Sequence, residues 1–210
     1  LNIRNINNEH TSNFLYPDLI NNLIDPFELL DMKISLDRTY KAIINNEKIS
    51  IIGDYDVDGS TSAALLFNFF KHLGMDINIE IPNRLQDGYG PNHKIMKKIL
   101  KNETNLLFTV DCGTSSFDIL DHPDYGTMDT IIIDHHLSEN KLPKVFSIIN
   151  PNRFDQTNIY RNLAAVGVTY LFLLSLRKFL RNKNFFTSKN IKEPNLLNYL
   201  DLVALGTICD

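Results

Sequence analysis

Short apolar runs alternate with longer stretches of helical spacing through the first 150 residues, and beyond them the spacing is helical alone. The runs KISII (48–52), INIEIP (77–82), NLLFTV (105–110), TIII (130–133) and VFSIIN (145–150) are rich in Ile, Val and Phe and predict five strands. Residues 26–46 place Phe27, Leu30 and Ile34, then Tyr40, Ile43 and Ile44, at helical spacing and predict one or two helices. STSAALLFNFFKHLG predicts a helix capped by Ser60 or Thr61 and ended by Gly74. HKIMKKILK predicts a short basic helix, and a second short one is expected around 115–121. Two more follow at 163–182 and 195–206, while residues 1–23 are polar and irregular.

Strands that alternate with helices imply βαβ units. The expected fold class is α/β, a doubly wound, mainly parallel sheet of about five strands with a helical section over 160–210. In such sheets ligands gather beyond the carboxyl ends of the strands. Three of the runs end in acids at that edge: Asp54, Asp56 and Asp58 after the first, Asp111 after the third and Asp134 after the fourth.

Composition narrows the class. The 210 residues are 43% hydrophobic, enough for one large domain or a domain with a small appendage. A net charge of -4 excludes a general polyanion-binding surface, so attraction to a nucleic acid needs local basic groups or bound cations. Two cysteines, Cys112 and Cys209, fit a reducing, cytoplasmic setting, and both read as small buried hydrophobes. The longest apolar stretch, 163–176, is too short to span a bilayer and reads as a core helix.

Acids on alternate positions repel one another and raise one another's pKa unless a positive charge sits among them. DYDVDG opens like a calcium-binding EF-hand loop, but the twelfth position is Leu65 and a strand stands where a helix is needed. A solvated acidic turn that caps the next helix is the plain reading. A cation site of another kind is the other, and His135 and His136 after Asp134 favour it. Carboxylates with one or two imidazoles suit Mn²⁺ or Mg²⁺ better than zinc. Asp210 adds a further acid, so the chain has ligands for two divalent ions that share a bridging carboxylate, the arrangement suited to phosphoester hydrolysis. NRLQDGYG (83–90) then reads as a phosphate-facing loop, with Asn83, Arg84, Gly88 and Gly90 as candidate contacts. An ordinary surface loop is its bland alternative.

GDYDVDG, PNRLQDGYG, TVDCG, DHH and LDLVALGTICD, in this order, resemble the DHH phosphoesterase superfamily, and within it the RecJ family of single-strand-specific exonucleases. The likeness extends over 24–210 and includes IINPNR (148–153) and the helical stretches 163–180 and 194–207. It implies a DHH-type catalytic domain over 24–210 that hydrolyses single-stranded DNA from 5′ to 3′ with two Mn²⁺ or Mg²⁺ ions. It implies metal ligation by Asp56, Asp58, Asp111, His135 and Asp210, with Asp111 bridging, and contact of His136 with the scissile phosphate. Asp54 and Asp134 would orient ligands or water. Family members continue into a second, DHH-associated domain, which the resemblance implies is missing after Asp210. It also implies a role in DNA repair and recombination, with a single-strand-binding protein or a helicase as partners. Two rivals stay open: a phosphoesterase acting on short oligonucleotides or cyclic dinucleotides, and an inactive remnant of the same fold.

Overall fold

Five runs of branched and aromatic residues become five strands because the sheet is covered on both faces, the edge strand least completely. They are β1 (Ile49–Gly53), β2 (Ile77–Glu80), β3 (Leu106–Val110), β4 (Asp129–Ile133) and β5 (Ser147–Ile149). The structure, a computed structural model, describes residues 25–157 and 160–210 together with Thr11, Leu15, Tyr16 and Leu23. The irregular segment expected at 1–23 lies mostly outside the described residues. All four pairings are parallel, in the order β2-β1-β3-β4-β5. Parallel strands need helical crossovers, and these cover the sheet from both sides.

Alternate residues of each strand feed two cores. Ile51, Phe108, Val110, Ile131, Ile133 and Ile149 face α1 (Met32–Ile44), α2 (Val57–His72) and α5 (Ala165–Asn182). Ile52, Leu107, Ile132 and Ile148 face α3 (His93–Lys101) and the short α4 (Phe117–Leu120). Phe108 on the central strand packs its ring 5.6 Å from that of Phe70 on α2 and 5.8 Å from that of Phe172 on α5. The doubly wound α/β expectation therefore holds. After α5 come a short helix that the sequence did not predict, α6 (Phe185–Lys189), and α7 (Leu200–Cys209). Among the described residues no helix is long and apolar enough to cross a membrane.

Two local expectations need correction, and one gains detail. The buried stripe of α1 is Met32, Leu36, Thr39 and Ile43, whereas Phe27, Leu30, Ile34 and Ile44 are exposed. A left-handed Asp31 starts the helix at Met32 and fixes a phase that the earlier apolar residues do not share. The cap of α2 is Asp56, whose carboxylate accepts from Gly59 N at 2.9 Å, so Ser60 and Thr61 lie inside the helix. Cys112 is fully buried as expected, but Cys209 is exposed, because Gly206 is the buried residue of α7.

Candidate metal centre

The sheet register lines up the polar residues that follow the strands. Gly53 pairs with Val110, Val110 with Ile133, and Ile133 with Ile149. The next residues, Asp54, Asp111, Asp134 and Asn150, therefore form one row across the carboxyl edge. Backbone bonds tie the row together: Asp54 N to Val110 O (3.3 Å), Asp111 N to Ile133 O (3.0 Å) and Asp134 N to Ile149 O (3.1 Å). The chain crosses over in opposite directions from β1 and from β3, so the row spans the switch point where such sheets place their ligands.

The acidic turn after β1 is wound tightly. A Cβ on Gly59 would lie 2.6 Å from the backbone N and O of Asp54, so only glycine lets the turn close. Asp56 caps α2 with one oxygen. Asp58 points the other way, into the protein, where it accepts from Ala165 N at 2.6 Å and Val166 N at 2.8 Å. It thereby holds the N-terminus of α5, where a negative charge is favoured. Gly206 brings α7 against this junction, and Asp210 at its end reaches His135. Asp111 takes a left-handed backbone (φ 59°), a conformation that costs a non-glycine residue of order 1–3 kcal/mol and gathers at functional sites.

Side chains far apart in sequence meet here. His135 Nε2 lies 3.3 Å from Asp111 Oδ1, 3.6 Å from Asp210 Oδ1 and 3.8 Å from Asp58 Oδ2. Three groups have ligand atoms within 4.8 Å of one another: Asp54 with Asp56 and Asp111, Asp58 with His135 and Asp210, and Asp111 with His135 and His136. All five residues expected as ligands belong to these groups, and Asp111 belongs to two of them. Asp111 Oδ1 and His135 Nε2 are buried without a hydrogen-bond partner. Buried polar atoms of this kind carry a desolvation cost that a cation would offset. Carboxylate oxygens joined by imidazole nitrogen fit Mn²⁺ or Mg²⁺.

The electrostatics agree. Burial pushes Asp111 up to about 8, against the contact with His135 and with the charges of Asp58, Asp56 and Asp134 adding to the rise. Asp54 and Asp58 are raised too, burial being the largest cause in each. His135 is raised although burial opposes it, because Asp111 and Asp210 outweigh that cost. Three carboxyls and an imidazole that hold protons more tightly mark a pocket short of positive charge.

Asp134 organises the DHH tripeptide. Its Oδ1 accepts from His135 N (2.8 Å) and from His136 Nδ1 (2.8 Å), and its Oδ2 accepts from Thr114 N (3.0 Å). Burial opposes its charge, yet these bonds hold it below the usual carboxylate range. His136 rises to about 9, chiefly through the bond to Asp134. With Nδ1 engaged, its Nε2 is the nitrogen left to face the cleft.

The loop 83–90, expected to face phosphate, lies beside the acids. Arg84 sits over the ring of Tyr55, 5.3 Å from its centroid. Asn83 commits its side-chain oxygen to Leu85 N and Gln86 N, at 3.0 and 3.2 Å, and so shapes the loop. Gly88 (φ 76°) needs its glycine for backbone conformation, since a Cβ there meets open space. Gly90 (φ 69°) packs against Cys112, and its N–H points at Asp54 Oδ1 at 3.4 Å.

Sequence reasoning missed several residues that hold this site. Tyr89 donates from its hydroxyl to Asp111 O at 2.9 Å and approaches His136 Nδ1 at 3.2 Å. Asn150 donates to Thr114 Oγ1 and His136 O, both at 2.9 Å, and Asn152 donates to His135 O at 2.6 Å. The available signal was IINPNR itself, two asparagines on alternate positions at a strand's exit.

Comparison with known proteins places this geometry. Residues 48–207 match the model of the DHH family, N-terminal domain. The single-stranded-DNA-specific exonuclease RecJ of Salmonella typhimurium is 41% identical over 172 residues, 81% of this chain and 30% of that protein. RecJ of Escherichia coli is 38% identical over 184 residues, 87% of this chain and 32% of that protein. The chain thus spans about a third of the length of these relatives. Among solved structures, an exonuclease RecJ bound to manganese superposes with a TM-score of 0.72 at 28% identity, covering 86% of this chain and 43% of that one. RecJ in complex with Mn²⁺ from Thermus thermophilus gives a TM-score of 0.68 at 26% identity, covering 86% of this chain and 24% of that one. A family match over most of the chain, with a fold and a cluster of acids that agree with it, means that the chain belongs to the DHH family.

Proposed function

We propose that residues 24–210 form the catalytic DHH domain of a two-metal exonuclease that degrades single-stranded DNA from its 5′ end. The observation that carries this reading is the pair of orphaned buried atoms, Asp111 Oδ1 and His135 Nε2, at the centre of three overlapping ligand groups. Asp54, Asp56 and Asp111 offer oxygens to one ion, and Asp58, His135 and Asp210 offer theirs to the other, with Asp111 shared. Held there, two divalent ions would supply the positive charge for activating a water and steadying the phosphoryl oxygens of a phosphodiester.

The protein's own residues do the rest. Asp58 anchors its ligand group to the rigid start of α5. Asp134 fixes the His136 ring so that Nε2 donates to a non-bridging oxygen of the scissile phosphate. Arg84, braced on Tyr55, provides a planar fork for a second phosphate. The likeness to RecJ supports the polarity and the preference for single strands; the residues support phosphodiester hydrolysis. DNA repair or recombination in the cytoplasm is the setting this activity fits.

The test is release of nucleotides from 5′-labelled single strands in Mn²⁺, beside duplex DNA and an Asp111→Ala variant. Mononucleotides from single strands alone, lost in the variant, are expected. Undiminished activity of Asp111→Ala would remove the proposed centre.

A further inference from the structure

Tyr89 carries an aromatic face that the hydrolytic chemistry does not use. Its hydroxyl is tied to Asp111 O and His136 Nδ1, so the phenol cannot swing away, and 49% of the residue remains exposed. Tyr89 lines a hollow of about 440 Å³ together with Gly113, Ser115, Asp134, His136 and Leu137. Leu137, directly after the DHH tripeptide, is 78% exposed. An apolar side chain left so open beside charged groups has no packing role in the core. A second hollow of about 300 Å³ adjoins the first and shares Tyr89 and Ser115 with it.

We infer that the hollow between Tyr89 and Leu137 takes the nucleobase next to the scissile phosphate, with the base stacked on the Tyr89 ring. The inference rests on the nuclease reading above and adds a base-binding site to it. The location argues for this occupant. His136, assigned above to the scissile phosphate, lines the same hollow, so a base attached to that phosphodiester lies within reach of it. The chemistry argues for it too. The lining includes the aromatic Tyr89 and the aliphatic Leu137, and the carboxylate of Asp134 is already satisfied by Thr114 and the two histidines. Every base has a π-face, so a stacking platform binds all four without preference. An exonuclease that removes successive nucleotides needs that tolerance. The neighbouring hollow lets the strand continue past Tyr89.

The experiment is a double-mutant cycle between the protein and the base. Single strands with an abasic residue at the first, second or third position from the 5′ end are digested in Mn²⁺ beside the intact strand. Parent protein, Tyr89→Ala, Tyr89→Phe and the surface variant Leu137→Ala are compared. For the parent, one abasic position lowers kcat/KM roughly 5- to 150-fold, the equivalent of about 1–3 kcal/mol of stacking. In Tyr89→Ala that difference shrinks towards unity, because the ring that read the base is gone. Leu137→Ala shrinks it in part. Tyr89→Phe, slower overall for want of the bond to Asp111, keeps it. Equal losses on abasic and intact strands in Tyr89→Ala and Leu137→Ala would overturn the base site and leave the nuclease reading standing. Failure of the parent to cut any strand would overturn both.

Discussion

Gly206 offers a way to move a proposed metal ligand without altering one. It sits where α7 crosses α2 and the start of α5. A Cβ there would lie 2.5 Å from Thr61 Oγ1, 2.7 Å from Val166 Cγ1 and 3.1 Å from Asp58 Oδ1. None of these yields easily. The Thr61 hydroxyl donates to Val57 O at 2.8 Å, Val166 is β-branched and stiff at χ1, and Asp58 is buried and bonded to α5. Ordinary contact at about 3.5 Å therefore requires α7 to back away by roughly 1 Å. Asp210, which bonds its backbone N–H to Gly206 O, moves with it. Ligand distances tolerate about 0.2 Å, so Asp210 leaves its group. Gly206→Ala is expected to weaken Mn²⁺ binding roughly 10- to 100-fold, the range for residues that orient ligands, and to cost about 1–3 kcal/mol by overpacking. Calorimetric titration with Mn²⁺ compares parent, Gly206→Ala and Asp210→Ala, with urea unfolding as the control for folding. The two variants should bind alike. Parent-like affinity in a folded Gly206→Ala would refute the argument that α7 packing sets Asp210.

Other consequences follow from the same geometry. Gly59→Ala presses a Cβ to 2.6 Å from Asp54 backbone atoms, which cannot rotate away, so Mn²⁺ binding should fall sharply with a stability loss of about 1–3 kcal/mol in urea; an unchanged titration contradicts the tight turn. Asn150→Ala removes the bonds to Thr114, His136 and Asn152 at a fully buried position and should cost about 2–4 kcal/mol; a loss under about 0.5 kcal/mol shows the clamp to be idle. For pH, the buried Asp111 carboxyl rises from 3.8 to about 8, so the folded metal-free protein holds a proton that the unfolded chain has released. Its stabilising effect is complete below about pH 4 and is lost as pH climbs towards 8, and His136, raised from 6.5 to about 9, acts in the same direction above pH 6.5. Thermal melts in EDTA should therefore fall from pH 5 to pH 8, and saturating Mn²⁺ should reverse the slope; a flat profile in EDTA rules out the raised carboxyl.

The acids after β1, β3 and β4 were legible in the sequence because each follows a run of residues that only a buried strand accommodates, whereas Asp210 ends a helix. What joins them was not. Asp54, Asp111, Asp134 and Asn150 become neighbours only through the strand order and the parallel register, which no local pattern encodes. The double use of Asp58, facing His135 and capping a helix 107 residues downstream, depends on the same tertiary arrangement. Asp56 displaced Ser60 and Thr61 as the cap of α2 because Gly59 allows the helix to begin about one turn earlier than the apolar spacing suggests. Tyr89 went unnoticed between two glycines, since its role rests on a backbone carbonyl of another strand's exit. The helices expected over 26–46 are present, but which residues of α1 are buried depends on the left-handed Asp31 that starts the helix at Met32.

Manganese anomalous diffraction from crystals soaked in Mn²⁺ tests the shared centre most directly. Two peaks about 3.5–4 Å apart, one on either side of the Asp111 carboxylate, are expected. A single peak remote from Asp111, or none beside His135 at saturating metal, would contradict it.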